Sequence, residues 1–560
     1  METRDSNWWK ESVVYQIYPR SFQDSNGDGV GDLRGIINRL GYLKDLGINV
    51  IWLCPVYDSP NDDNGYDIRD FYKIQDEFGS MEDMLELITQ AEAYGIRMIM
   101  DLVANHTSDE HAWFMESRSS KESPKRDWYI WKPGNEGQEP TNWESNFGGS
   151  AWEYDEISQE YYLHCFSKKQ PDLNWENPEV RQSIFSMMDW WIDRGIAGFR
   201  IDAITFIKKN QQFPHLKSED DRRYVPLAEA CLNQSGILDF LHEMKQEVLE
   251  PRNVMTVAEA PGVPIEQIHE YVDEQNGVFN MIFQFDHVDL DAKPMAKGIY
   301  HPWKLTEFKH ALSKWQIETA NKGWMALFME NHDHVRSVSK FGNDGIYHKE
   351  SAKMLAAYYF LMRGTPFIYQ GQEIGMTNYF MASIEEYRDI ESLNYHRNET
   401  ALGRPEADIL NYLAIRSRDQ GRTPMQWSSE PMAGFTDGEP WIHVNPNYSS
   451  INVEEELQDG NSILHFYREL IKLRRDNKAL IYGDYHEIYV DSNELGGYVR
   501  TYGKECWTVI CNFTDQTIPL TDPLEGYVVL SNINNHDDGL LKPYEALICK
   551  GEKNADAAAI

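Results

Sequence analysis

Short, almost unbroken apolar runs recur along the chain, and each is followed by a stretch with helical spacing. The runs are SVVYQIYP (12–19), NVIWLCP (49–55), RMIMDLVAN (97–105), GFRIDA (198–203), VMTVAEA (254–260), NMIFQFD (280–286), WMALFMEN (324–331) and TPFIYQGQE (365–373). Strands that are apolar at every position, rather than at every second one, are buried on both faces, as in a parallel sheet covered by helices. The intervening segments, such as MEDMLELITQAEAYG (81–95), PEVRQSIFSMMDWWIDRG (178–195) and SAKMLAAYYFLMRG (351–364), repeat apolar residues at i, i+3 and i+4. Each of these three reaches a glycine suited to a left-handed C-cap. Eight alternating units predict an α/β chain folded as a (β/α)8 TIM barrel.

Three departures from this rhythm set the expected domains. The barrel begins over 1–105, and the connection after strand 3, residues 106–174, is long and rich in Trp, Gly, Asn and Pro, which predicts a small inserted domain. The barrel resumes over 175–480, with an irregular stretch at about 374–455 and a helix over NSILHFYRELIKLRR (461–475). From 481 to 560 short alternating strands (HEIYV, GYVRTY, CWTVICNF, GYVVLS, YEALICK) predict a C-terminal antiparallel β-sandwich, ending in a frayed NADAAAI.

Composition narrows the partners. Ninety acidic against 53 basic residues leave a net charge of −37, which repels phosphate backbones and anionic lipid and points to no nucleic acid and no membrane partner. No run of about 18 apolar residues occurs, and the N-terminus lacks the pattern of a secretory signal. The six cysteines include no C-x-x-C pair, and several lie in apolar runs. They read as small buried hydrophobes of a reducing cytoplasm. The 17 Trp and 31 Tyr supply rings that, where exposed, stack on sugars and other flat ligands.

Candidate chemistry gathers at the C-terminal ends of the strands, where barrels of this kind place their active sites. Those ends carry Asp101, Asn105 and His106 on strand 3, Arg200 and Asp202 on strand 4, Glu259 on strand 5, and His332 and Asp333 on strand 7. One buried carboxylate is more often a satisfied ion pair than a catalyst, but three with an arginine and two histidines at one end argue for a site. Neighbouring parallel strands lie about 4.8 Å apart, so Asp202 and Glu259 face each other at roughly 5 Å, the separation of a retaining glycosidase. Arg200, on the same face as Asp202, is expected to depress the Asp202 pKa and suit it as nucleophile. Glu259, in an apolar strand near other carboxylates, is expected to have a raised pKa and act as acid, then base.

DLVANH (101–106), GFRIDA (198–203), AEAPG (258–262) and ENHD (330–333), with QPDLNWENP (170–178), resemble the signature regions of the α-amylase superfamily of glycoside hydrolases. DSNGDGVGDLRGI, SPNDDNGYD (59–67), YQGQEIGMTN (369–378) and SRDQGRTPMQW (417–427) narrow the resemblance to its oligo-1,6-glucosidase and α-glucosidase branch. The resemblance implies an exo-acting retaining α-glucosidase that frees glucose from the non-reducing end of isomalto- and malto-oligosaccharides, with no organic cofactor, as a monomer or weak homo-oligomer. It implies Asp202 as nucleophile, Glu259 as acid/base and Asp333 as stabiliser of the distorted ring. Asp63, Tyr66, His106, Arg200 and His332 would line the glucose pocket. Arg418 would close it on Asp63, with Arg416 and Arg422 as alternatives, and Phe147, Phe166, Phe283 and Phe285 would form aromatic walls.

Relatives selective for α-1,6 links often carry Val after the nucleophile; here it is Ala203. With Ala258 and Ala260 beside the acid/base, this implies a roomier aglycone site and relaxed α-1,4/α-1,6 specificity. Sucrose isomerases use the same trio, but carry an arginine-rich loop where this chain reads HVDLDAKPM (287–295), which favours hydrolysis. A catalytically dead transporter partner would have lost the carboxylates, and a phosphorylated disaccharide substrate would need a basic rim. The loop DSNGDGVGD places oxygen ligands at Asp24, Asn26, Asp28, the Val30 carbonyl and Asp32, as a calcium loop does. It is followed by Gly35 where an EF-hand needs Glu, and it leaves a strand rather than a helix. It is therefore expected to hold a structural Ca2+ within the barrel scaffold.

Overall fold

All eight runs form parallel strands in the computed structural model, which describes residues 7–218, 223–291, 300–320, 322–520, 526–537 and 539–552. They are β1 (Val14–Ile17), β2 (Val50–Leu53), β3 (Arg97–Val103), β4 (Gly198–Asp202), β5 (Met255–Glu259), β6 (Met281–Phe283), β7 (Ala326–Leu327) and β8 (Thr365–Tyr369). Pairing runs β6-β5-β4-β3-β2-β1-β8-β7, with Val14 opposite Val50 on one side and Phe367 on the other. Aromatic packing closes the remaining seam: the Phe283 ring of β6 meets Phe328 at 5.1 Å and Phe367 at 4.8 Å, both edge-on. With Trp52 these rings plug the interior, so the barrel is a packed core and the chemistry sits above it.

The outer helices begin where short polar side chains can cap them. Ser80 and Asp83 form a reciprocal capping box at Met81–Ala93, and Asn177 caps Pro178–Ile192, whose proline occupies the first turn. The helix predicted from 351 starts earlier, at His348–Phe360.

Two predicted segments hold more than the sequence pattern shows. The inserted segment contains a three-stranded sheet, of Trp131–Lys132, Trp152–Asp155 and Glu160–Leu163, but does not close on itself. Trp143–Glu144 pairs with Val225–Pro226 from the loop after β4, and Trp143, Trp152 and Leu163 pack against Phe206, Leu227 and Cys231. A cut at 174 therefore divides one packed unit. The stretch expected to be irregular holds the helices Ile390–Ala401 and Glu406–Arg416, with Met381, Tyr395, Ile409 and Leu413 in their own small core.

The C-terminal sheet is antiparallel, with β9 (Asp484–Ile488), β10 (Leu495–Tyr502), β11 (Glu505–Asn512), β12 (Tyr527–Ser531) and β13 (Ala546–Glu552) in the order β9-β10-β11-β13-β12. A two-stranded ladder, Ile518–Pro519 with Leu540–Leu541, accompanies it. The fully buried Arg500 ties this domain to the barrel by donating to the carbonyls of Leu361, Leu480, Ile481 and Gly483. All six cysteines are free and buried. Among the described residues no helix is long and apolar enough to cross a membrane. NADAAAI and the second half of HVDLDAKPM, from 292 onward, lie outside the described residues.

Gly198 opens β4 where a Cβ would lie 1.9 Å from the Met255 carbonyl oxygen of β5. Gly198→Ala should therefore force the two strands apart and destabilise the protein by roughly 1–3 kcal/mol, with catalysis falling alongside. A melting temperature equal to that of the native chain would show that this close approach does not set the strand register.

Candidate active site

Strand register brings the first group together. Arg200 stands opposite Asp101 on β3, and Ile201 stands opposite Ala258 on β5, so the next residues, Asp202 and Glu259, emerge side by side. Side chains two apart share a face, which turns Arg200 towards the same space. Its guanidinium is wholly buried and shared three ways. Nη1 donates to Asp101 and to Asp202 Oδ1 (2.8 Å), while Nη2 donates to Glu259. Asp101 is further held by the Trp52 indole N–H at 2.7 Å. Ala203 sits in the left-handed region (φ 44°) and offers its N–H to Glu259 Oε2 at 3.3 Å.

This sharing overturns one expectation. Burial pushes the Asp202 carboxyl well above its ordinary pKa; Arg200 opposes the shift, and the charges of Glu259, Asp101 and Asp333 reinforce it. Glu259 is raised, as expected, chiefly by burial, again against Arg200. The single cation is divided among three carboxylates, so it cannot depress Asp202 alone. The pair therefore retains a proton where two isolated carboxyls would have lost both.

A second group forms above β7. The Gln16 amide donates to His332 Nδ1 at 2.8 Å, which leaves the ring proton on Nε2, facing the Tyr66 hydroxyl (2.6 Å) and Asp333 Oδ2 (3.1 Å). Tyr66 and His332 stack at 5.2 Å. Burial disfavours ionisation of Asp333, yet His332, Arg418, Arg422 and Arg200 together hold its carboxyl far below the usual range. Arg422 reaches Asp333 at 2.9 Å and Arg418 reaches it at 3.3 Å.

Arg418 also donates to Asp63 at 3.0 Å and, through Nε, to Asp389 at 2.8 Å. It is thus the arginine that closes on Asp63, while Arg422 serves Asp333. Arg416 turns away to Asp289 and Asp291 at the mouth. Gln170 links Asp63 (3.0 Å) to His106 (3.1 Å). Asp389 and Gln170 were not singled out in the sequence. Nor was Lys209, whose buried ammonium binds Asn105 Oδ1 (2.7 Å), Asp172 (2.7 Å) and the Phe206 carbonyl (2.5 Å). It joins the end of β3, the inserted segment and the loop after the Asp202 strand.

Outside these groups lies a cavity of about 430 Å³, lined by Phe147, Phe166, Phe285, Asp333 and Arg418 among others. Phe147 lies under the Arg418 guanidinium at 5.0 Å, and Phe285 stacks on His334. Phe283 does not belong to this wall. It faces inward one layer deeper and packs on Trp52 at 5.5 Å in the barrel plug.

In the loop after β1, Asp24 takes N–H bonds from Asn26, Gly27 and Gly29 and a hydroxyl bond from Thr436. These bonds keep its carboxyl below the ordinary range despite burial. Asn26 and Asp28 each accept from the N–H two residues on, and Asp32 accepts from Ser25 and Gly35. Every candidate donor, including the Val30 carbonyl, is oxygen, which fits a hard cation such as Ca2+. Among the described residues no three His, Cys, Asp or Glu side chains form a metal-binding group.

Comparison with known proteins agrees with this geometry. The alpha amylase catalytic-domain family matches residues 16–483. The chain is 51% identical over 557 residues to an oligo-1,6-glucosidase of Halalkalibacterium halodurans, covering 98% of this chain and 99% of that one. It is 45% identical over 561 residues to a trehalose-6-phosphate hydrolase of Bacillus subtilis, covering 98% and 99%. A solved isomaltulose synthase of Protaminobacter rubrum superposes with a TM-score of 0.93 at 42% identity, covering 98% and 99%.

Removing the shared cation tests the electrostatic account. Arg200→Met should cost about 3–5 kcal/mol at pH 7 by stranding buried carboxylates. Without the arginine their folded-state pKa values rise further, and a raised carboxyl stabilises the fold only while protonated. The gap between variant and native protein should therefore narrow as pH falls towards 5, as read by denaturant titration. A gap that widened on acidification would contradict the account.

Proposed function

This chain belongs to the alpha-amylase family, and on that premise we propose that its barrel works as an exo-acting retaining α-glucosidase on short α-glucosides. The observation that carries this reading is the closed end of the pocket. The Asp63–Arg418–Asp389 links bar a chain from passing beyond the glucosyl unit next to Asp202, so only a non-reducing end fits. The oligo-1,6-glucosidase relatives match a larger share of residues than the isomaltulose synthase does, which favours hydrolysis over isomerisation.

The chemistry follows from the shared guanidinium. Double displacement runs from the state in which Asp202 is the carboxylate and the pair's proton sits on Glu259, an arrangement that Arg200, touching both, accommodates. Asp202 attacks the anomeric carbon as Glu259 gives its proton to the leaving oxygen, forming a glucosyl ester. Glu259, now ionised, takes a proton from water as that water attacks the same carbon and frees Asp202. Arg200 touches both residues throughout, so the charge passing from one carboxylate to the other stays beside the same cation. Asp333, held ionised, accepts sugar hydroxyls and favours the flattened ring, and His332 donates from Nε2. Ala203 leaves room for both α-1,4- and α-1,6-linked aglycones, whereas Ala258 and Ala260, expected to widen the same site, point away from it and are fully buried in the main core. Six buried free thiols support work in a reducing cytoplasm.

The residues Asp24, Asn26, Asp28, Val30 and Asp32 would hold a structural Ca2+. A bound calcium would supply charge that lets their oxygens converge, pinning the loop to the segment that Thr436 and Trp441 already hold.

Asp202→Asn should lower kcat by about a thousandfold or more, a barrier increase of roughly 4 kcal/mol. The native protein should cleave maltose and isomaltose within a hundredfold of each other and convert sucrose to glucose and fructose. Isomaltulose as the main sucrose product would overturn the hydrolytic reading. Chelation should lower the melting temperature, with calcium restoring it; an unchanged value would remove the metal from the scaffold.

A further inference from the structure

Asp333 and Arg418 tie the mouth cavity to the glucosyl pocket, so the cavity's other lining residues face whatever is bonded to that glucose. Two cations stand among them, Lys340 and Arg416, and both are spent. Lys340 donates to Asp291 and to the Val288 carbonyl, each at 2.6 Å. Arg416 Nη1 also donates to Asp291 at 2.6 Å, so this buried carboxylate takes both charges. Asp289, half-exposed in the cavity, is left with one long contact to Arg416 Nη2, at 3.4 Å.

The neighbouring His334 presents a second open acceptor. Asn331 Oδ1 accepts the Asp333 backbone N–H at 2.8 Å, which fixes that side-chain amide with its oxygen inward. His334 Nδ1 lies 2.7 Å from the same oxygen. The ring proton is therefore on Nδ1, and Nε2 carries the lone pair. Nε2 makes no hydrogen bond among the described residues, and it is not sealed from solvent as the unpartnered core atoms are. The side chain is 13% exposed, in the wall of the cavity. Burial, reinforced by Lys340 and Arg416, pushes the imidazole down to about 3, so the ring stays neutral. Phe285 stacks on it at 5.7 Å and fixes its plane.

His334 Nε2 and Asp289 Oδ1 stand 3.9 Å apart. Both accept, and no proton joins them. Burial raises the Asp289 carboxyl against Arg416 and Lys340, but a carboxyl accepts in either protonation state. Two acceptors opening on one space beside an aromatic wall match adjacent hydroxyls of a pyranose, which bring one proton for each. An aryl group has no such proton. A phosphoryl group at neutral pH brings only acceptors and negative charge, and the cations that would meet it are engaged on Asp291.

We propose that Asp289 and His334 select the aglycone, accepting hydroxyl protons from a neutral sugar bonded to the departing glucose. The proposal rests on the glucosidase reading and names the leaving group that reading leaves open. A site built around acceptors discriminates against analogues that lack the matching hydroxyl, because its polar groups are then left unpaired.

The test compares kcat/KM for maltose with that for an aryl α-glucoside, since both deliver the same glucosyl unit. Asp289→Ala and His334→Phe should each lower the maltose-to-aryl ratio by about tenfold or more. A merely structural defect would lower both rates and leave the ratio in place. Maltoses lacking single hydroxyls on the reducing glucose probe the same contacts in the native chain, without any substitution. At least one should lose about tenfold, and that loss should shrink in Asp289→Ala or in His334→Phe. Maltose phosphorylated on its reducing glucose should be a poorer substrate than maltose. Either variant holding the native ratio, a deoxy series with no loss, or a preference for the phosphorylated sugar would overturn this inference alone. A native chain that cleaved neither maltose nor the aryl glucoside would overturn the glucosidase reading, and this one with it.

Discussion

One guanidinium organises this molecule's chemistry. Arg200 has no exposed surface and meets three carboxylates at once. An arginine buried beside a single acid forms a neutral pair; beside three it leaves an excess of negative charge that burial makes expensive. Burial raises the carboxyls of both Asp202 and Glu259 against that cation, which favours a proton shared by the pair, the state from which double displacement starts. The barrel exists, in this sense, to align β3, β4 and β5 so that all three acids reach one cation.

The same logic of divided charge recurs above β7. Arg418 serves Asp63, Asp389 and Asp333, and Arg422 serves Asp333 and the His332 carbonyl. Here two cations are supplied, and Asp333 is ionised outright. The contrast between the two clusters, cation-poor around Asp202 and cation-rich around Asp333, assigns a transferable proton to one and a permanent charge to the other.

Much of this was legible in the sequence because strands announce themselves. Carboxylates inside near-continuous apolar runs have one place to go in a parallel barrel, so Asp202, Glu259 and Asp333 could be read off strand ends. What escaped was whatever depends on partners remote in sequence. Arg200 is visible two residues before Asp202, but its division among Asp101, Asp202 and Glu259 is not, and so the direction of the Asp202 shift was misread. Phe283 closes β6 and Phe285 follows two residues on, beyond the strand's end, and only the layer each occupies separates a core plug from a pocket wall. Asp389 precedes a helix in a segment with no strand to mark it. Val225–Pro226 completes the inserted segment from across β4, a pairing that no local pattern encodes.

The pocket's closing contact spans 355 residues, from Asp63 to Arg418, and β1 finds its partner β8 only once Tyr369 has been made. At synthesis rates of about 5–20 residues per second, a nascent chain waits roughly 20–70 s between making one half of that contact and making the other. For most of this time it displays strands that are apolar on both faces and have no edge protection. The high sequence separation of the contact that closes the pocket thus leaves apolar strands unpaired while the chain is being made, and exposed apolar strands and edges are what make a nascent chain prone to aggregate.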